Sequence, residues 1–164
     1  LVRAVFHHRE ITGASLDPMS AYLLLRGMKT LSLRIERQNA SAMTIARWLE
    51  RHPRVSQVNY PGLEPHPHQE IAAEQLPGFG GMLSSALKGA FDDVKRMLPA
   101  LKRMHRAANL GAVETVAGPP ATTSHVECSP EERAAMGIPE GLIRYSVGIE
   151  AVDDLIADLA QALE

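Results

Sequence analysis

The stretch GLIRYSVGIE, residues 141–150, decides how the end of this chain folds. Its isoleucine, tyrosine and valine are strand-forming residues, which predicts a strand over residues 142–147. Side chains alternate along a strand, so Arg144 shares one face with Leu142 and Ser146. The opposite face carries the bulkier side chains, which are Ile143, Tyr145 and Val147. The arginine therefore points away from the bulkier apolar side chains.

A partner is expected for Arg144, because arginine is seldom fully buried unless it is paired. Its planar guanidinium suits bidentate pairing with a carboxylate. The residues alone leave two kinds of partner open, an internal salt bridge or the carboxylate of a ligand. The internal candidates are Glu114, Glu127 and Glu150. At this point the internal salt bridge is favoured.

Two helices are predicted before the first strand. Asp17 is a favourable N-cap and Pro18 suits the first helical position, so one helix begins there and ends near Gly27. A longer helix is predicted over residues 31–51. Its apolar stripe recurs at i, i+3, i+4 and i+7, and consists of Ala42, Ile45, Ala46 and Leu49.

Strands and helices alternate over the rest of the chain. Strands are predicted in VSQVNYPG (55–62) and GGMLSSAL (80–87), and RAANLGAVETV (106–116) is expected to be extended with a bend at Gly111. Four helices are predicted in the same part of the chain. The first follows PHPH at 65–68, and the others cover AFDDVKRML (90–98), SPEERAAMG (129–137) and residues 152–163. This order predicts an α/β fold with α+β character, in which helices cover a mostly antiparallel open sheet.

Composition restricts the classes of function. The formal net charge of −2 gives no electrostatic case for binding nucleic acid or an anionic membrane surface, and neither partner is expected. The single cysteine, Cys128, excludes an internal disulfide and suits a reducing compartment, so a cytoplasmic location is expected. The chain begins at Leu1 without the pattern of a signal peptide, and the simplest expectation is that it was cut from something longer.

Histidines and the cysteine offer weaker candidate sites. Two histidine pairs stand out, His7–His8 and His66–His68. Zinc needs about three or four converging ligands, so solvated loop histidines are the favoured interpretation and no metal is expected. Cys128 follows His125 by three residues, which leaves a thiol nucleophile open, but a small and partly buried residue is favoured.

The loop NLGAVETVAGPPATTSH, residues 109–125, is dense in small and hydroxyl residues. Its hydroxyl side chains are Thr115, Thr122, Thr123 and Ser124. Small residues let the backbone approach a ligand closely, and hydroxyl groups can bind an anion. An ordinary surface loop rich in turn-forming residues is the alternative.

Several blocks in a fixed order resemble the C-terminal part of the Cys/Met-metabolism family of pyridoxal-phosphate enzymes. The blocks are GASLDPMSAYLLLRGMKTLSLRIERQNASAMTIARWLERHPRV, VNYPGLEPHPHQEIA, GFGGMLSS, NLGAVETVAGPPATTSH and EERAAMGIPEGLIRYSVGIEAVDDLIADLAQAL. The resemblance runs from about Thr12 to Glu164. The family includes cystathionine gamma-synthase, cystathionine lyases, methionine gamma-lyase and O-acylhomoserine sulfhydrylases.

The resemblance implies a role for Arg144 in the block R-x-S-V-G-I-E, where the arginine grips the α-carboxylate of the amino-acid substrate. It places Asn109 and Ser124 beside that carboxylate, and Ala108 at a position that varies among the family's activities. The chain departs from the family pattern at three positions: Asn109 and Thr115 replace serine, and Ala112 replaces a second glycine.

The family's cofactor lysine lies in a Ser/Thr-rich segment that this chain does not contain. The four lysines here have other contexts; they are Lys29, Lys88, Lys95 and Lys102. We therefore expect no catalytic or cofactor-binding residue in this chain and no activity from the chain alone. The implied organisation is 1–52 as connecting helices and 53–164 as the C-terminal substrate-side domain.

The implied parent protein is a pyridoxal-phosphate enzyme that acts on sulfur amino acids or O-acylhomoserine by γ-replacement or β/γ-elimination. Its implied partners are the missing N-terminal cofactor domain and further copies, since the family is usually tetrameric. Two alternatives stay open: a stand-alone binding or regulatory module of the same family, and a cofactor domain supplied by a separate chain.

Overall fold

The computed structural model describes residues 1–13, 15–64 and 66–164, with Ala14 and Pro65 outside the described residues. The chain divides into two compact units, Leu1–Leu33 and Arg34–Glu164. The predicted organisation into segments 1–52 and 53–164 stays a prediction. No helix within the described ranges is both long enough and apolar enough to cross a membrane.

The first unit contains two helices, α1 (Val2–Thr12) and α2 (Pro18–Met28). The predicted cap of α2 is confirmed, because the carboxylate of Asp17 accepts hydrogen bonds from the backbone N–H groups of Met19 and Ser20 at 2.9 and 3.1 Å. Helix α1 was not predicted. Neither helix contains a buried residue.

The second unit consists of a sheet and the helices around it, and the first three residues of its first helix, α3, belong to the first unit. The helices are α3 (Leu31–Glu50), α4 (Gln69–Gln75), α5 (Phe91–Ala100), α6 (Pro130–Ala135) and α7 (Val152–Ala162). The strands are β1 (Val55–Asn59), β2 (Met82–Leu87), β3 (His105–Arg106), β4 (Val116–Gly118) and β5 (Leu142–Ser146). A 3₁₀ turn, Pro120–Thr122, follows β4.

The five strands found among the described residues form one sheet in the order β1-β2-β5-β4-β3. All neighbouring pairs are antiparallel except β3 and β4. The predicted α/β fold with a mostly antiparallel, helix-covered sheet is therefore confirmed. Strand β5 lies at the centre of the sheet, and this position places Arg144 between β2 and β4.

The core lies on the face of β5 that the alternation predicted. Its largest buried side chains include Ile143, Tyr145, Val147, Ile45, Leu49, Val94, Leu155 and Leu159. These residues come from β5, its C-terminal end, α3, α5 and α7, so the three helices share one core with the sheet. Burial raises the pKa of Tyr145 to about 12, against a smaller lowering by its hydrogen bond with Ser85.

Helix α6 has the predicted N-terminal cap and the predicted C-terminal stop. The hydroxyl of Ser129 accepts from the backbone N–H of Glu132, whose carboxylate accepts from the backbone N–H of Ser129 at 2.7 Å. Gly137 has φ of 74°, a left-handed conformation that favours glycine. The prediction for residues 106–116 was wrong in extent. Its first residue, Arg106, belongs to β3 and its last residue, Val116, belongs to β4, but residues 107–115 between them form no strand.

Candidate functional site

A row of polar groups crosses the sheet on the face opposite the core. In the register of the sheet, Asn59 is opposite Ser84, Ser84 is opposite Arg144, and Arg144 is opposite Gly118. Directly opposite residues of paired strands point to the same face. The side-chain amide of Asn59 donates to the hydroxyl of Ser84 at 3.1 Å, so this end of the row is already paired.

Gly118 supplies the close approach beside the arginine. A Cβ atom added to Gly118 would lie 2.8 Å from the carbonyl oxygen of Ala107 and 3.3 Å from Cγ2 of Thr123. Glycine is therefore required for the backbone of residues 107–109 to come this near to β4. The approach brings that backbone within reach of Arg144.

Arg144 is held by backbone carbonyl groups. Its Nη2 donates to the carbonyl oxygen of Ala108 at 2.8 Å and to that of Asn109 at 3.1 Å. Within the described residues, its Nη1 and Nε make no hydrogen bond, and the side chain makes no ion pair. The half-buried guanidinium is thus fixed in position while its charge meets no carboxylate of the described chain.

The internal salt bridges weighed from the sequence are not formed in the described part of the chain. Glu150, the candidate nearest to Arg144 in sequence, lies beyond the end of β5 and uses both carboxylate oxygens on Thr115 instead. These bonds join Glu150 to the backbone N–H of Thr115 at 2.6 Å and to its hydroxyl at 2.8 Å. The internal pairing that the residues alone favoured is therefore wrong for Glu150, because that carboxylate is already occupied.

The segment from Ala107 to Thr115, here called the clamp turn, carries the carbonyl groups that hold the arginine. Gly111 has φ of 79° and provides the predicted bend. Its backbone N–H donates to the hydroxyl of Ser146 at 2.9 Å, so the turn also contacts β5 beyond Arg144. Sequence alternation placed Arg144 and Ser146 on one face, and both contact this turn.

The side chain of Asn109 serves the turn itself. Its Oδ1 accepts from the backbone N–H of Leu110 at 2.8 Å, while its own carbonyl oxygen accepts from Arg144. Ala108 is exposed and likewise contributes its carbonyl oxygen. The structure therefore brings Arg144, Ala108 and Asn109 together, through backbone atoms of the last two.

Ser124 contacts a neighbouring residue, and not the arginine, through its hydrogen bond in the described structure. It follows the 3₁₀ turn after Gly118, and its exposed hydroxyl is 2.9 Å from Nδ1 of His125. No hydrogen bond joins Ser124 to Arg144 among the described residues. Its role beside a carboxylate stays a prediction.

Three polar contributors were not predicted from the sequence. Ser84 and Asn59 lie on strands whose order in the sheet cannot be read from local pattern. Gln38 was recognisable, since it lies four residues before Ala42 and so falls on the apolar stripe of α3. It is buried, and its amide donates to the carbonyl oxygen of Ala112 in the clamp turn at 3.1 Å.

The other candidate sites gain no support from the geometry. In the ranges that the structure describes, no three His, Cys, Asp or Glu side chains converge as a metal site would require. His125 is paired with Ser124, and Cys128 is a free, partly buried thiol. The four lysines, Lys29, Lys88, Lys95 and Lys102, are all exposed.

Comparison with known proteins shows the family to which the chain belongs. The model of the family described as Cys/Met metabolism PLP-dependent enzyme matches residues 1–164. L-methionine gamma-lyase of Fusobacterium nucleatum subsp. polymorphum is 47% identical over 156 residues, which are 95% of this chain and 40% of the relative. Cystathionine gamma-synthase 1, chloroplastic, of Nicotiana tabacum is 42% identical over 164 residues, which are 100% of this chain and 30% of the relative.

A solved structure has the same fold. Cystathionine gamma synthase from Xanthomonas oryzae pv. oryzae, in complex with aminoacrylate and cysteine, matches with a TM-score of 0.87 and 40% identity. The match covers 93% of this chain and 40% of that protein. The chain thus spans between 30% and 40% of the length of these three proteins. The chain belongs to the Cys/Met-metabolism family of pyridoxal-phosphate-dependent enzymes.

Proposed function

We propose that this chain is the substrate-side part of a trans-sulfuration enzyme and that Arg144 binds the α-carboxylate of an amino-acid substrate. The substrate class is a sulfur amino acid or an O-acylhomoserine, and the reaction is γ-replacement or β/γ-elimination. One observation carries the proposal. The guanidinium is oriented by two backbone carbonyl groups, yet among the described residues its charge has no carboxylate partner.

The geometry suits a carboxylate ligand. A guanidinium offers five N–H donors in a fixed plane, and carboxylates are its best-matched anion. The two bonds to Ala108 and Asn109 use only Nη2 and fix the plane of the group. The remaining N–H groups are then available to a ligand. Binding energy at this group would orient the substrate relative to the reacting atoms, and holding it there lowers the entropic cost of reaction.

The names of the relatives agree with this class of substrate. They are a methionine gamma-lyase and two cystathionine gamma-synthases, one of them solved with aminoacrylate and cysteine. Another relative is an O-succinylhomoserine sulfhydrylase of Pseudomonas aeruginosa, 44% identical over 92% of this chain. Each of these names refers to a compound with an amino-acid carboxylate, which is the shared group that Arg144 would recognise. Asn109 and Ser124 are proposed to assist, and Ala108 to influence the choice among reactions.

Pyridoxal phosphate is the cofactor of the family. The described residues of this chain do not fit it, because a Schiff-base lysine is normally desolvated and all four lysines here are exposed. We propose that the cofactor is held by another part of the enzyme, which would be an N-terminal domain in a homotetramer, and that the 164-residue chain alone is inactive. The proposed compartment is the cytoplasm. If the purified chain retains stoichiometric pyridoxal phosphate after desalting, this part of the proposal is wrong.

The role of Arg144 is tested in a hybrid of this chain with a complete enzyme. Residues 12–164 replace the matching segment of the Fusobacterium methionine gamma-lyase, and the hybrid is assayed with and without Arg144→Ala. Loss of a charged hydrogen-bonding group of this kind is expected to cost about 1.5–3 kcal/mol, or roughly 10- to 100-fold in KM. Cofactor content should not change.

Arg106→Ala is the matched control, because Arg106 is exposed on the edge strand β3, which β4 separates from β5, and forms no ion pair in the described structure. It should leave KM within about twofold of the unsubstituted hybrid. An unchanged KM in the Arg144→Ala hybrid would make Arg144 a structural residue.

A stand-alone binding module is the alternative function, and an intact mass of 17.9 kDa for the natural protein would favour it.

A further inference from the structure

The clamp turn is fastened to the rest of the second unit at several points besides Arg144. The backbone N–H of Gly111 donates to Ser146 Oγ at 2.9 Å, and the backbone N–H of Ile149 donates to the carbonyl oxygen of Val113 at 2.9 Å. From helix α3, the side-chain amide of Gln38 reaches the carbonyl oxygen of Ala112 at 3.1 Å. These bonds hold the middle of the turn.

The end of the turn is held by a buried threonine and a glutamate. Thr115 is fully buried, and its hydroxyl donates to Glu150 Oε2 at 2.8 Å while accepting from the backbone N–H of Gly148 at 2.9 Å. Its backbone N–H donates to Glu150 Oε1 at 2.6 Å. Helix α3 holds the glutamate in turn, since Arg37 Nη2 donates to the carbonyl oxygen of Glu150 at 3.1 Å. Both carboxylate oxygens of Glu150 and the hydroxyl of Thr115 therefore have hydrogen-bond partners inside the protein.

Gly148 shows how closely the turn and the end of β5 approach each other. A Cβ atom added there would collide with the carbonyl oxygen of Val113 and with Glu150 Oε2, and would lie 2.7 Å from the carbonyl carbon of Glu114. No side chain fits unless the turn moves away. The backbone at Gly148 thus packs directly against the backbone of the clamp turn, and the hydrogen bonds between Thr115 and Glu150 lie beside this contact.

We propose that Thr115 and Glu150 are positioning residues for the carboxylate site. They fix the clamp turn so that the carbonyl groups of Ala108 and Asn109 meet Nη2 of Arg144 and hold the guanidinium in one plane. The inference rests on the proposed function, because the held guanidinium is the group that would bind the substrate carboxylate. If the turn is already ordered in the free protein, substrate binding does not have to pay the entropic cost of ordering it.

The chemistry of the pair explains why both members are needed. A carboxylate can accept from the amide and the hydroxyl of Thr115 at the same time, and the threonine hydroxyl can donate to it while accepting from Gly148. Removal of the hydroxyl leaves the N–H of Gly148 without an acceptor at a buried position. An unsatisfied buried group destabilises its local structure more than the absent bond alone would.

The test uses the 164-residue chain and compares Thr115→Val with Thr115→Ser. Valine keeps the shape of threonine and removes the hydroxyl, whereas serine keeps the hydroxyl. Amide hydrogen exchange of Gly111 and Ile149, and proton exchange at Nη2 of Arg144, are measured by NMR relative to amides of the core strand β2. For Thr115→Val we expect about tenfold faster exchange at these groups relative to β2, and for Thr115→Ser a change under about twofold.

A merely structural role would give a different result. If Thr115→Val lowers the melting temperature and accelerates exchange equally at β2, the turn and Arg144, the positioning role is wrong. If Thr115→Val does not fold, the same exchange rates are measured in Glu150→Gln. Glutamine keeps the shape of glutamate and one of its two acceptor oxygens. Equal exchange at Arg144 in Glu150→Gln and the unsubstituted chain, relative to β2, would also overturn the inference.

The readout needs no substrate, so it separates this inference from the proposed function. Faster exchange at Arg144 in Thr115→Val supports positioning even if the Arg144→Ala hybrid keeps its KM, in which case only the substrate assignment is wrong. Conversely, a raised KM in the Arg144→Ala hybrid with unaltered exchange in Thr115→Val leaves the carboxylate site standing and removes the positioning role.

Discussion

Nη2 of Arg144 lies 2.8 Å from the carbonyl oxygen of Ala108, so the arginine on the central strand is tied to the clamp turn through a backbone atom. The bond does not depend on which side chain occupies position 108. Ala108 is exposed, and its side chain could therefore differ between enzymes while the arginine stays in the same place. The proposed carboxylate-binding role of Arg144 is therefore compatible with different side chains at position 108.

The first prediction concerns Asn109, which supplies a carbonyl group to Arg144 and a side-chain cap to Leu110. Asn109→Ala removes only the cap, so we expect a loss of about 0.5–1.5 kcal/mol in the free energy of unfolding. Asn109→Ser should recover part of this loss, because a hydroxyl can also accept from a nearby N–H. Urea denaturation measures both. A loss beyond about 3 kcal/mol would show that the amide does more than cap the turn.

Asp158 gives a prediction that depends on pH. Its carboxylate accepts from the backbone N–H groups of Lys102, Arg103 and Met104 at 2.8, 2.9 and 3.0 Å, just before β3. Burial raises its pKa, but these bonds outweigh burial and hold the pKa below its ordinary value of 3.8. The folded pKa is thus below the unfolded one, so the stabilisation is complete well above pH 3.8 and is lost as the pH falls through the folded pKa.

Asp158→Asn should therefore lower the free energy of unfolding by about 1–3 kcal/mol at neutral pH, since an amide has one acceptor oxygen and places N–H beside N–H. The difference between the two proteins should shrink as the pH is lowered below 3.8, the ordinary pKa of the carboxyl. Urea denaturation across this range measures it. A difference that stays constant with pH would mean that the charge of Asp158 contributes nothing.

Arg133 gives a third prediction, about the segment that leads into β5. It is a buried arginine whose Nε and Nη2 donate to Glu140 Oε1 at 3.2 and 2.7 Å, and whose Nη1 donates to the carbonyl oxygen of Cys128. Glu140→Ala leaves this cation without its carboxylate. The glutamate side chain is 41% exposed, so we expect about 1–3 kcal/mol of destabilisation rather than the larger cost of a fully buried pair.

Glu127→Ala is the control for charge, because Glu127 is exposed and forms no ion pair in the described ranges. It should change the melting temperature little. Equal effects of Glu127→Ala and Glu140→Ala would show that net charge, and not the contact with Arg133, determines the change.

The fourth prediction concerns the first unit. Leu23, Leu24 and Leu25 on α2 are 56%, 58% and 63% exposed, so this helix presents large apolar side chains to solvent. We expect the isolated chain to self-associate as its concentration rises. Leu24→Glu should reduce this association, and Lys29→Gln, which changes the net charge by the same amount, should not. A monomeric chain at all concentrations in sedimentation velocity would contradict the prediction.

Local rules predicted much of the fold because they act within a few residues. The caps at Asp17 and Ser129, the stop at Gly137 and the bend at Gly111 each depend on one residue type in one position. The alternation in β5 likewise separated the face of Arg144 from the core face. These features needed no knowledge of the rest of the chain.

The partners of Arg144 could not be predicted in the same way. Its acceptors are carbonyl groups of Ala108 and Asn109, and any residue has a carbonyl group, so no side chain marks them. The pairing of Glu150 with Thr115 through hydrogen bonds depends on how the clamp turn folds back towards the end of β5. Long-range backbone geometry of this kind depends on the order of strands in the sheet, which local pattern does not determine.

The central claim is that Arg144 recognises a carboxylate, and a double comparison tests it most directly. In the hybrid enzyme, binding of L-methionine is compared with binding of 3-(methylthio)propylamine, which is methionine without its carboxylate, before and after Arg144→Ala. We predict that the unsubstituted hybrid prefers methionine by about 10- to 100-fold and that Arg144→Ala abolishes the preference. A preference of the same size in both proteins would contradict the assignment of Arg144 as the carboxylate-binding residue.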